Sequence, residues 1–181
     1  MYKLITPAAI VALLSGVAGS ASPQAEKPLA VPGAGVAREI PNAKELPDPN
    51  TTYKVLFDVS KAAPKPDDIN PSLALLARYV NTLDRWGVPA DHRRIAVIFH
   101  QGGSLIILNN ETYKSRTGHD NPNIALIQAL NKAGVDFHVC GQSVLANKID
   151  TKTILPEINV DLWAMVSVVN FQTRGYVFVG N

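Results

Sequence analysis

Arg94-Ile95-Ala96-Val97-Ile98-Phe99 constrains the fold of this chain more than any other segment. The run is apolar without alternation, the pattern of a strand covered on both faces, as in a parallel sheet layered with helices. The neighbouring segments supply such layers. Tyr53 to Val59 reads as a first strand, and Asn70-Pro71 then opens a helix with Asn at the cap and Pro in the first turn. Leu73, Leu76, Ala77, Val80 and Leu83 recur at helical spacing until Gly87 and Pro89 end that element. After the Arg94–Phe99 strand, Gln101-Gly102-Gly103-Ser104 turns the chain into Leu105 to Leu108, expected to be helical. Ser115 to Asn121, with His119, reads as a polar loop. Asn121-Pro122 repeats the helix-opening device, and that helix runs to Ala133, where Gly134 closes it.

Val135 to Val139 is a third strand, followed by Cys140-Gly141-Gln142 and a short helix beginning near Ser143. Ile158 to Val160 is a fourth strand, a helix covers Leu162 to Thr173, and Tyr176 to Val179 is the last strand. Strand and helix therefore alternate over residues 51–181, which predicts a single α/β domain: a mainly parallel open sheet of about five strands with helices on both faces, in flavodoxin-like layering. Leu162-Trp163-Ala164-Met165-Val166 and Val168-Val169 leave the last helix almost no polar side, the mark of a helix covered by another subunit. Its β-branched centre, Val166 to Val169, also suits a strand.

The preceding residues are of different material. Met1-Tyr2-Lys3 carries a positive charge, Leu4 to Val17 is apolar, and Ala18-Gly19-Ser20-Ala21 is small throughout. That order predicts a secretory signal over residues 1–21 with cleavage after Ala21, because the apolar run falls short of the roughly 20 residues of a membrane span. Residues 22–50 hold Pro23, Pro28, Pro32, Pro41, Pro47 and Pro49, and read as a flexible arm with little to bury. The chain is thus expected to be exported, into the periplasm, without stable membrane insertion. Charged residues are only 18% of the chain, its formal net charge is +2, and its basic residues are scattered, which argues against a nucleic-acid partner.

Exported proteins usually pair their cysteines, but this chain has one, Cys140, and so no internal disulfide. Stability must come from an apolar core, for which 46% hydrophobic content suffices. Ligands of an open parallel sheet bind beyond the carboxyl ends of its strands. Two strands end there in capable residues: His100 with Gly102 and Gly103, and Cys140 with Gly141, Gln142 and Ser143. Each glycine turn brings free backbone N–H groups to that edge, where they favour an anion such as a thiolate. If the two strands are neighbours, His100 also approaches the thiol. Two readings of Cys140 stay open, a nucleophile at a strand end or a small apolar residue filling space. His138 shares the face of Cys140, but the spacing of His100, His138 and Cys140 is unlike a structural zinc site, and no metal is expected.

The run Leu130 to Ser143, with the strand and turn Val97-Ile98-Phe99-His100-Gln101-Gly102, resembles the DsrE/DsrF-like family. The closing Gln172-Thr173-Arg174-Gly175-Tyr176-Val177-Phe178-Val179 is similar to the same family's end, so the likeness spans about Tyr53 to Val179. The resemblance implies an α/β domain that assembles into homo-oligomers, often trimers or hexamers. It also implies sulfur relay, in which a cysteine at the position of Cys140 accepts sulfur as a persulfide and passes it to a protein partner. His100 and the amides of Gly141 to Ser143 would stabilise the anion, and no cofactor is needed for such exchange. The export signal and the proline-rich arm depart from the relay proteins, which are cytoplasmic. An oligomeric small-ligand-binding or interaction module with a structural Cys140 is the competing expectation.

Overall fold

The structure is a computed structural model that describes residues 28–180. The expected signal segment, residues 1–21, lies outside the described residues. Five parallel strands form the sheet: β1 (Tyr53–Val59), β2 (Arg93–Phe99), β3 (Asp136–Cys140), β4 (Ile158–Asp161) and β5 (Val177–Val179). Their order is β4-β3-β2-β1-β5, so the chain builds outward from β1 in one direction and then returns to add β5 on the other side.

Strand alternation divides the sheet into two faces. Val55, Phe57, Val59, Ile95, Val97, Phe99, Phe137 and Val139 face α1 (Pro71–Arg85) and α3 (Ile124–Lys132) in one buried cluster. Leu56, Ala96, Ile98 and Cys140 face α5 (Ala164–Thr173), which contributes Ala164 and Phe171 to a smaller cluster. A short α4 (Gly141–Ala146) follows β3 directly. The expected opening of α1 is realised: the Asn70 side chain accepts the Ser72 N–H at 3.0 Å, and Pro71 lies in the first turn.

Three expectations need correction. Leu105 to Leu108 is not an α-helix. A 3-10 turn spans Gln101–Leu105, and Leu108 then forms an isolated antiparallel bridge to Ile154. The start of the expected polar loop, Ser115 to Thr117, is helical instead: α2 is Asn110–Thr117, capped by the Asn109 side chain on the Thr112 N–H, and Gly118 ends it at φ 80°. The third difference lies in the arm. Val31 is fully buried, its N–H donates to Asn81 Oδ1 at 2.7 Å, and the Asn81 amide returns bonds to the carbonyls of Val31, Ala34 and Gly35. Ala37 N–H also donates to Thr82 Oγ1. A buried polar side chain in α1 therefore holds this stretch against the domain, because its amide must find partners away from water.

Among the described residues, α5 is the helix that packs on the sheet face carrying Cys140. Met165, Val166 and Val169 of that helix are exposed, as are Leu162, Trp163 and the edge-strand residues Val177, Phe178 and Val179. No helix among the described residues is long and apolar enough to cross a membrane.

Candidate functional site

Cys140 is the last residue of β3 and the cap of α4, so strand and helix meet at the thiol with no loop between them. Gly141 makes this junction possible. A Cβ at that position would lie 2.6 Å from the Asp161 carbonyl oxygen, where β4 leaves the sheet. Only glycine lets the two strand exits pass so closely. The chain leaving β4 then starts α5, and the Ala164 N–H donates to Cys140 Sγ at 3.3 Å. The sulfur thus sits where two helices begin, against backbone N–H groups that lack partners within their own helices.

Burial opposes a charge on Cys140, which is only 3% exposed. The amides of Ala164, Ser143 and Gln142 and the Ser143 hydroxyl more than offset that cost, holding the thiol below its ordinary range. Gln142 also ties the two exits together, its amide donating to the Leu162 carbonyl at 3.2 Å.

His100 continues β2 in extended conformation, and the register that pairs Ile98 with His138 puts His100 beside Cys140 on the same face. Its ring is turned to the other neighbour: Nε2 lies 2.5 Å from Asp58 Oδ1 on β1. The groups that act on the thiol are therefore amides and a hydroxyl, while His100 forms a half-buried pair with Asp58. The ends of β2 and β3 are joined instead through Ser143, whose Oγ accepts the Gln101 N–H at 3.0 Å. Gly103 packs where a Cβ would strike the Val59 carbonyl, and its N–H is bound by the carbonyls of Ser60 and His100. Gly102 is less tight, a Cβ there lying 3.0 Å from the Ala62 nitrogen and 3.3 Å from the Ser60 carbonyl oxygen. These two glycines shape the turn that carries His100.

The sequence pattern does not point to Asp58, Asp161 and Ser167 near this edge, nor to Asp136 at the opposite end of β3. Asp161 is the register partner of Cys140 on β4. It accepts the Ser167 hydroxyl at 2.6 Å and lies 3.1 Å from His138 Nδ1. His138 Nε2 is 3.0 Å from Asp136 Oδ2, and its ring packs edge-on against Phe171 of α5. Strand alternation gives the relevant signal, since Asp136, His138 and Cys140 share a face, but Asp161 joins them only once β4 is known to lie beside β3. Among the described residues no group of three or more His, Cys, Asp or Glu is arranged to hold a metal ion.

The model of the DsrE/DsrF-like family matches residues 54–179, from the start of the sheet to its last strand. The chain belongs to that family. No curated protein matches it. A solved structure of a protein of unknown function, MTH1491 from Methanobacterium thermoautotrophicum, is similar at 20% identity and a TM-score of 0.49, covering 71% of this chain and 99% of that one.

Proposed function

We propose that this chain is an exported sulfur carrier whose Cys140 bears a sulfane sulfur as a persulfide. The observation that carries the reading is the position of Sγ at the start of both α4 and α5, with the Ala164 N–H donating to it. A thiolate is the nucleophile in sulfur exchange, and this surrounding favours the thiolate. In the loading step the Cys140 thiolate attacks the outer sulfur of a donor persulfide. An S–S bond forms at Cys140 as the donor's S–S bond breaks, and the donor leaves as its thiolate. An acceptor thiolate then attacks the outer sulfur of the Cys140 persulfide, takes it, and regenerates the Cys140 thiolate. No net oxidation occurs, the donor being a protein persulfide and the acceptor a protein thiol.

The exposed apolar side of α5 and the edge strand β5 support assembly with further copies of the chain. The composition of residues 1–21 supports export to the periplasm. The burial of Cys140 in the smaller core cluster favours one competing reading, a packing residue in an oligomeric interaction module. Alkylation of the native protein separates the two. A carrier thiol is labelled quickly, with an apparent pKa below about 8.5. Labelling only after denaturation sinks the proposal.

A further inference from the structure

His138 stands two residues before Cys140 on β3, on the same face of the sheet. Its ring lies between carboxylates from two strands, with Nδ1 3.1 Å from Asp161 Oδ1 and Nε2 3.0 Å from Asp136 Oδ2. Nδ1 is aligned for a hydrogen bond with Asp161, whereas Nε2 is buried without an aligned hydrogen bond and meets Asp136 as a close ion pair, so both carboxylates favour a positively charged ring. The other surroundings leave this preference intact. From β4, the Asn159 amide donates to Asp136 Oδ1 at 3.2 Å. From α5, Phe171 presents its ring at 5.2 Å, with Arg174 stacked over Phe171 and Tyr176 packed edge-on against it. From β2, the residue in register is Ile98, which is apolar. Burial works against the charge on His138, but the two carboxylates outweigh it and raise its pKa above the ordinary value.

Asp161 connects this ring to the thiol. Its second oxygen accepts the Ser167 hydroxyl at 2.6 Å, and Ser167 Oγ also lies 3.2 Å from the Trp163 carbonyl. Trp163 to Ser167 is the opening turn of α5, which contains the Ala164 N–H held on Cys140 Sγ. We propose that His138 is a positioning residue for Cys140: clamped between Asp136 and Asp161, it fixes through Asp161 and Ser167 the helix start whose amide stabilises the thiolate. The inference rests on the reading of Cys140 as a reactive thiolate. It also makes the two titrations reciprocal, since each charge favours the other by the same free energy.

The test titrates the Cys140 thiolate by its ultraviolet absorbance in the parent, H138Q and S167A, and titrates His138 by NMR in the parent and C140S. The expected result is a rise of about half a pH unit or more in the thiol pKa of both variants, a threefold or greater loss of thiolate below it. In C140S the His138 midpoint falls by a like amount. Unchanged thiol and imidazole midpoints overturn the inference, even where H138Q lowers the melting temperature, because a merely structural role moves stability alone. If H138Q does not fold, S167A and C140S decide between the same two results. Sulfur loading is read separately by intact mass. Shifted titrations in a chain that takes up no sulfur defeat the carrier reading and uphold the linkage. Sulfur uptake with unshifted titrations defeats the linkage alone.

Discussion

Replacing Ser143 with Ala removes the one side-chain group that acts on the Cys140 sulfur. A hydrogen bond to a charged group contributes about 1.5–3 kcal/mol. Ser143 is half-buried in the first turn of α4, so water replaces part of the loss and the low end applies. Since one pKa unit corresponds to about 1.36 kcal/mol, the thiol pKa should rise by about one unit. Thiolate-dependent alkylation below that pKa should slow about tenfold. The same change orphans the Gln101 N–H, which donates to Ser143 Oγ at 3.0 Å in a residue already at φ 48°. A stability loss of about 0.5–1.5 kcal/mol should therefore accompany the shift. The assay is the rate of iodoacetamide labelling against pH, with thermal melting as the control. Loss of stability with an unmoved alkylation profile would refute the claim that Ser143 tunes the thiol.

Other consequences follow from the packing. In G103A the new Cβ meets the Val59 carbonyl, backbone against backbone, so no rotamer relieves it and a loss of about 1–3 kcal/mol should appear as a lower melting temperature. N81A should cost about 1–3 kcal/mol, because the buried Val31 N–H and C=O lose their partner, and trypsin should then cut at Arg38 and Lys44 faster than in the parent. The raised pKa of His138 stabilises the fold fully below its unfolded value near 6.5, and that contribution disappears as pH rises through the higher folded value. Asp136, with its pKa lowered chiefly by the His138 ring beside it, contributes above its unfolded value near 3.8 and loses that as pH falls through the lower folded one. H138Q should thus lower the melting temperature most between these two values, and the gap should close in alkaline buffer.

The sheet was legible because its central strands β1 to β3 are largely buried and α1 opens on Asn70-Pro71, whereas the Asn121-Pro122 pair does not cap α3, which begins at Ile124 after Asn123. Tyr53–Val59 and the cap at Asn70 followed from local pattern alone. The helix α2 did not, because only Tyr113 is buried in it and no apolar stripe marks its period. The docking of the arm was hidden for another reason: Asn81 lies on the buried side of α1, where a polar residue has no local partner, and its partners are 46–50 residues earlier in the chain. At the site, Cys140, Gly141 and Ser143 are contiguous and readable. Ala164 and Asp161 reach the thiol only through the placement of β4 beside β3, and Asp58 reaches His100 only through the placement of β1 beside β2. Strand order is a property of the whole sheet, and no short stretch of sequence states it.

The central claim is that Cys140 carries sulfur, and intact-mass analysis tests it most directly. The protein is purified without reductant, incubated with a persulfide donor, and compared with C140S. The account predicts a gain of one sulfur atom on the parent alone, reversed by reductant. An unchanged mass on both, or an equal gain on C140S, would contradict it.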